Sequence, residues 1–129
     1  MLRKNKKMKE QEHLNILVVD DEEEICEMFK KWLYLEGHRV KFASTGKSAI
    51  DLFKKENFDI VYLDIVMPGI SGIEVFEKIR KIPSKTKIVL ITGELLDNKI
   101  LEELKQKGIS KILKKPFKIE DVNATINSF

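Results

Sequence analysis

Apolar and polar positions alternate along this chain in two rhythms. Ile16-Leu17-Val18-Val19, Ile60-Val61-Tyr62-Leu63 and Ile88-Val89-Leu90-Ile91 are unbroken apolar runs, and Ile109-Ser110-Lys111-Ile112-Leu113 is a weaker one. Runs of this length, rich in Ile and Val, suit strands of a parallel sheet buried on both faces. Between them apolar residues return every three or four positions, the spacing of a single helix face. The pattern predicts strands at about 14–19, 39–43, 58–63, 86–91 and 109–113. Helices are expected at about 22–36, from Ser44-Thr45-Gly46 to Asn57, from Ser71 to before Pro83, at 97–107 and at 118–127. Their inner stripes are Ile25/Met28/Phe29/Trp32/Leu33, Ala49/Ile50/Phe53, Ile73/Phe76/Ile79, Ile100/Leu101/Leu104 and Ile119/Val122/Ile126. Gly37 and Gly108 are placed to stop helices, and Met67-Pro68-Gly69 reads as a turn.

Five strand–helix repeats imply βαβ units with right-handed crossovers, hence an α/β fold with helices on both faces of the sheet. In an open sheet of this kind ligands bind beyond the carboxyl ends of the strands. The residues there are Asp20-Asp21 after the first strand, Asp64 after the third, Thr92 after the fourth and Lys115-Pro116 after the fifth. If those strands are neighbours, carboxylates, a hydroxyl and an ammonium share one crevice. Carboxylate oxygens suit a hard divalent cation, and the ammonium and hydroxyl suit an anion such as phosphate.

Composition narrows the picture only in part. A chain of 129 residues has room for one domain. Charged residues make up 35% of it, yet the net charge is only +3. Residues 1–12 hold five basic side chains against two acidic ones, so the rest is formally neutral. We expect 1–12 to be a basic tail and 13–129 the folded domain. The tail reads as a solvated leader, with a weak nucleic-acid or membrane arm as the alternative. Cys26 is the single cysteine, so no internal disulfide can form. It is expected to pack rather than react. No run approaches the ~20 apolar residues of a membrane span, and the cytoplasm is the expected location.

Each site residue has a plainer reading. Asp20-Asp21 with Glu22 to Glu24 could cap a helix and favour its dipole. Asp64 and Thr92-Gly93 could be turn residues, and Lys115 a solvated lysine. Gly46-Lys47-Ser48 is no phosphate-binding loop, because position 41 is Lys where that motif needs Gly. His13 and His38 lack metal-ligand company. What sets the plain readings aside is their number, since they require independent coincidences at several strand ends.

Taken in order, Ile16-Leu17-Val18-Val19-Asp20-Asp21, Asp64 to Gly72, Thr92 and Lys115-Pro116-Phe117 resemble the receiver domain of bacterial two-component response regulators, the CheY-like superfamily, in its stand-alone form. The resemblance covers about 14–127. It implies a (βα)5 doubly wound, flavodoxin-like parallel sheet of five strands in the order 2-1-3-4-5. It also implies Asp64 as the phosphorylated residue, and Asp20, Asp21, Asp64 and the Val66 backbone carbonyl as ligands of Mg²⁺ or Mn²⁺. Thr92 and Lys115 would bind the phosphoryl group, and the Lys115–Pro116 peptide would be cis. The implied partners are a histidine kinase or histidine phosphotransfer protein and an unidentified downstream protein. Neither a membrane nor nucleic acid is expected as a partner, and the expected state is a monomer or weak homodimer.

The chain departs from the family pattern, or takes one of its variants, at three positions. Ile112 stands where many receivers carry a Tyr or Phe whose rotamer follows the threonine, so an inward–outward ring switch cannot operate. Val66 is apolar where some relatives place a polar side chain that helps position water. Glu94, two residues after Thr92, is acidic and could contact metal waters or basic groups. Two other functions compete with phosphoacceptance. An aspartate-nucleophile phosphatase would need a second Asp where Val66 stands. A receiver-like module that only binds would not need the intact acidic trio. No conventional enzyme turnover is expected, only metal-dependent self-phosphorylation and self-dephosphorylation at Asp64.

Overall fold

A computed structural model describes residues 13–93 and 96–129. Five strands, β1 (Asn15–Val19), β2 (Arg39–Ala43), β3 (Ile60–Asp64), β4 (Lys87–Thr92) and β5 (Lys111–Lys114), alternate with five helices. These are α1 (Glu23–Leu35), α2 (Gly46–Lys55), α3 (Gly72–Arg80), α4 (Asn98–Gln106) and α5 (Ile119–Asn127). The strands form one sheet in the order β2-β1-β3-β4-β5, every pairing parallel. Ile16 lies between Val40 and Ile60 in register, and Leu90 between Leu63 and Ile112. The expected doubly wound α/β fold with this strand order is therefore the fold of the chain.

Successive side chains of a strand point to opposite faces, which splits the apolar runs between two cores. Leu17, Val19, Val61, Leu63, Ile88 and Leu90 pack with Ala49 and Phe53 of α2, Val75, Phe76 and Ile79 of α3, and Leu104 of α4. Ile16, Val18, Ile60, Tyr62, Val89, Ile91 and Leu113 pack with Phe29 and Leu33 of α1 and Val122 of α5. The second core carries an aromatic cluster. Phe29 lies 4.8 Å from Tyr62 and 5.6 Å from Phe117 between ring centroids, and Trp32 lies 6.5 Å from Phe117. The buried Tyr62 hydroxyl is satisfied by the Thr125 hydroxyl at 2.7 Å, as a buried polar group must be.

Local chemistry sets the helix starts. Thr45 and Ser71 cap α2 and α3 by accepting the backbone N–H of Ser48 and Glu74 respectively, and Asp97 caps α4 through Ile100 N–H. Three expectations shift. The third, fourth and fifth strands begin one to two residues later than the apolar runs suggest. Ile109 N–H donates to Leu104 O, so Ile109 closes the end of α4 instead of opening β5. Ile100 is 38% exposed and off the buried stripe of α4, where only Leu104 is fully buried. Val75 is instead a core residue of α3, because a β-carbon on Gly46 would lie 2.7 Å from Val75 Cγ2 and α2 thus packs closely there. No described helix is long and apolar enough to cross a membrane.

Candidate functional site

Because all five strands run the same way, β1, β3, β4 and β5 end on one edge of the sheet. Asp64 and Thr92 are the last residues of β3 and β4, Asp20 follows β1 directly, and Lys115 follows β5 directly. Backbone bonds continue the ladder past the strands: Asp20 N–H donates to Ala43 O at 3.1 Å, Ile65 N–H to Ile91 O at 3.0 Å and Lys115 N–H to Thr92 O at 2.7 Å. The site residues are thus held on the rigid end of the sheet. The Lys115–Pro116 peptide is cis.

Asp20 and Asp64 are fully or almost fully buried, at 0% and 3% exposure. Each spends one oxygen locally, Asp20 Oδ1 accepting from Glu22 N–H at 2.8 Å and Asp64 Oδ1 from Val66 N–H at 3.1 Å. Their second oxygens face the Lys115 ammonium, 3.6 Å from Asp20 Oδ2 and 3.3 Å from Asp64 Oδ2. The nearest oxygen to that ammonium, however, is Glu22 Oε1 at 2.6 Å. Asp21 is exposed and completes a group in which one oxygen from each of Asp20, Asp21 and Asp64 lies within 4.8 Å of the others. Thr92 is buried at the same edge, 3% exposed.

This acidic set fits a divalent cation on two counts. Its donors are all carboxylate oxygens, the preference of Mg²⁺ and similar hard ions. In addition, Asp20 Oδ2 is buried without a hydrogen-bond donor among the described residues, and such an atom is costly to leave unmatched. The electrostatics follow. Burial, with the charge of Asp64 added, pushes the Asp20 carboxyl up to about 6, against the Glu22 N–H and Lys115, which favour its charged form. Burial works to lower Lys115, but the Glu22 hydrogen bond and the charges of Asp20 and Asp64 outweigh it and raise the ammonium above its usual range. Burial and the nearby acids push the Cys26 thiol up to about 11, the state of a packed cysteine and not of a nucleophile.

A pH prediction follows. In metal-free protein, folded Asp20 keeps its proton to about pH 6, whereas an unfolded Asp loses it near the ordinary 3.8. The folded state therefore binds more protons between those values, and stability falls as pH rises through that window, by on the order of 3 kcal/mol. Asp20→Asn should lose this component. Denaturant unfolding in chelator, compared at pH 4 and pH 7, should show the variant gaining on the native protein at the higher pH; an equal gap at both would contradict it.

The remaining candidates lie as follows. Val66 is 61% exposed beside Asp64, and Ile112 is half-buried against the α2–α4 core. Glu94 and the basic tail 1–12 lie outside the described residues. His13 and His38 flank the start of β1, at the other end of that strand from Asp20. His13 Nδ1 lies 2.6 Å from Gly37 O, and His38 Nδ1 accepts Leu14 N–H at 3.2 Å. Two contributors escaped the sequence reading. In sequence Glu22 looks like one more helix-capping acid, and its place next to Asp21 at a strand end is the available signal. Gly72 falls inside the segment Asp64 to Gly72, where the sequence alone offers no reason for a glycine. A β-carbon there would sit 2.0 Å from Asp64 O and 2.7 Å from Ile65 Cα, so the start of α3 presses directly on the backbone that carries Asp64.

The family model of the response regulator receiver domain matches residues 16–127. Sporulation initiation phosphotransferase F of Bacillus subtilis is 30% identical over 88% of this chain and 91% of its own length. Transcription factor SKN7 of Candida albicans is 34% identical, but the match spans only 20% of it. The chain spans half of the transcriptional regulatory protein YkoG of Bacillus subtilis. Among solved structures, the response regulator protein TrrA of Thermotoga maritima, in complex with Mg²⁺-BeF, is 36% identical with a TM-score of 0.77, covering 89% of this chain and 97% of that one. Chemotaxis protein CheY4 of Vibrio cholerae is 28% identical with a TM-score of 0.83, covering 91% and 98%. Fold, strand-end residues and relatives converge, and the chain belongs to the response regulator receiver domain family of two-component systems.

Proposed function

We propose that this chain accepts a phosphoryl group on Asp64 from a histidine kinase or histidine phosphotransfer protein and signals the event to a downstream protein. The observation that carries this reading is the meeting of a buried carboxylate, Asp64, with the Lys115 ammonium 3.3 Å away beside an acidic cluster suited to a cation. A carboxylate oxygen of Asp64 forms a bond to phosphorus as the bond to the donor's imidazole nitrogen, or to the acetate oxygen of acetyl phosphate, breaks. The leaving group departs with that electron pair. Mg²⁺, or Mn²⁺ in its place, supplies positive charge that offsets the carboxylates and polarises the phosphoryl oxygens. Asp20, Asp21, Asp64 and the Val66 carbonyl would hold it. Lys115 neutralises a phosphoryl oxygen as a point charge, and the Thr92 hydroxyl donates to another, so the residues act mainly by positioning and charge.

Phosphorylation adds charge at this edge and draws Thr92 and Lys115 toward Asp64. That biases an existing equilibrium on the face formed by β4, α4 and β5. With Ile112 in place of an aromatic ring, the change travels by backbone and packing rather than by a ring flip. The reading places the protein in the cytoplasm with its kinase partner.

The test is incubation with acetyl phosphate and Mg²⁺, read by intact mass. A gain of one phosphoryl group that chelator prevents is expected; no gain, or a gain indifferent to chelator, would overturn the reading. The side chain of Val66 offers no polar atom to orient a water. Val66→Asn is therefore expected to shorten the acyl-phosphate lifetime roughly severalfold, within the range of positioned proton-transfer groups. An unchanged or longer lifetime would contradict this.

A further inference from the structure

Of the three carboxylates around the Lys115 ammonium, the one that holds it closest is neither the proposed phosphoacceptor nor a proposed metal ligand. Glu22 Oε1 lies 2.6 Å from Nζ, against 3.3 Å for Asp64 Oδ2 and 3.6 Å for Asp20 Oδ2. The pair bridges 93 residues of sequence, joining the start of α1 to the loop after β5. Among the described residues the Glu22 side chain makes no other hydrogen bond or ion pair. It stands at the N-cap of α1 but makes no side-chain capping bond. Its backbone N–H, not its carboxylate, is what Asp20 Oδ1 accepts.

We propose that Glu22 is a positioning residue that restrains the Lys115 ammonium at the mouth of the pocket and competes for it with a phosphoryl group on Asp64. This rests on the phosphoacceptor reading above. The geometry gives the restraint its character. At 2.6 Å the contact is a short, charge-assisted hydrogen bond. The Glu22 side chain is 57% exposed, so water compensates it when it lets go, and exposed ion pairs of this kind contribute little to stability. Asp20 and Asp64 are buried and cannot swing away. An arriving phosphoryl group places negative oxygens on Asp64, and the ammonium that neutralises them must first leave, or share, Glu22. The restraint is firm enough to set where Lys115 waits and weak enough to be displaced.

The expected consequence is a faster acceptor when Glu22 is neutralised. Glu22→Gln keeps the backbone N–H that holds Asp20 and keeps side-chain length while removing the competing charge. Glu23→Gln, on the same turn of α1, removes one charge without touching the ammonium and serves as the control. Two readouts apply to the full chain: the rate of exchange of the Lys115 ammonium protons with water, by ¹⁵N NMR, and the initial rate of phosphoryl uptake from acetyl phosphate with Mg²⁺. Glu22→Gln should raise both by about threefold, the scale of one exposed ion pair, and Glu23→Gln should leave both near the native values. Unchanged ammonium exchange in Glu22→Gln would overturn the restraint. Faster exchange without faster uptake would do the same, and so would equal acceleration in both variants. Absence of uptake in the native protein would overturn the phosphoacceptor reading itself, and with it this role.

Discussion

Asp64→Asn is expected to take up no phosphoryl group from acetyl phosphate while remaining folded. The amide keeps the size of the carboxylate and can still accept the Val66 N–H that Asp64 Oδ1 now accepts, so β3 has no reason to shift. What it lacks is the anionic oxygen that attacks phosphorus. The substitution should also relax the pocket, because Asp64 is one of the charges that push the Asp20 carboxyl upward. With it neutral, Asp20 ionises more readily, and metal-free stability at pH 7 should be equal to or above that of the native protein. A variant that gains a phosphoryl group at the native rate would place the chemistry elsewhere. One that fails to fold would show that the carboxylate holds the sheet edge together, which its contacts with Val66 N–H and Lys115 give no reason to expect.

Gly72→Ala should be the most damaging of the glycine-to-alanine changes. The added carbon would meet Asp64 O at 2.0 Å and Ile65 Cα at 2.7 Å. Both are backbone atoms of the β3 end, pinned by Ile65 N–H to Ile91 O and by Gly72 N–H to Ile65 O. No side chain is available to rotate aside, so α3 and β3 must separate. Overpacking of this kind costs on the order of 3 kcal/mol, which lowers the melting temperature by about 10 °C in a domain of this size. The same displacement moves Asp64 relative to Lys115, and a misplacement of about 1 Å at a reacting group can cost about a hundredfold in rate. Thermal unfolding and acetyl phosphate uptake measured on one preparation check both effects. A variant that melts within about 2 °C of the native protein and takes up phosphoryl normally would show that the two elements separate freely.

How much of this could be read from residues alone depended on whether the determinant was local. β1, β3 and β4 were legible because a strand buried on both faces leaves an unbroken apolar run. The ends of those strands were legible to within two residues, and that sufficed to gather Asp20, Asp64, Thr92 and Lys115 on one edge. Strand order was not legible from the pattern. It came with the family resemblance, and the register of Ile16 with both Val40 and Ile60 bears it out. Ile109 looked like strand because an apolar residue closing a helix has the same local appearance as one opening a strand. Ile100 looked buried because helical spacing specifies a stripe but not how wide a neighbour covers it, and α4 is covered mainly at Leu104. The Glu22–Lys115 pair and the crowding at Gly72 are properties of approach between distant segments. Neither has a periodicity, so neither could be read before the segments were placed.

The resting site also clarifies why an acidic cluster can sit at the end of a neutral domain. The Lys115 ammonium serves three carboxylates at once, and among the described residues one buried oxygen of Asp20 has no hydrogen-bond donor. Such an arrangement is poorly compensated on its own and gains most from a bound cation, through mass action on the folded state. On this account a bound Mg²⁺ would offset the charge of the cluster, and a phosphoryl group on Asp64 would add negative oxygens that Mg²⁺ and Lys115 together must balance.

The most direct test of that account is to locate the phosphoryl group. After acetyl phosphate and Mg²⁺ treatment, borohydride converts an aspartyl phosphate to homoserine, and peptide mass spectrometry then reports which position changed. The account predicts homoserine at position 64 and at no other acidic residue. Conversion at Asp20, Asp21 or Glu22 with residue 64 intact would contradict it.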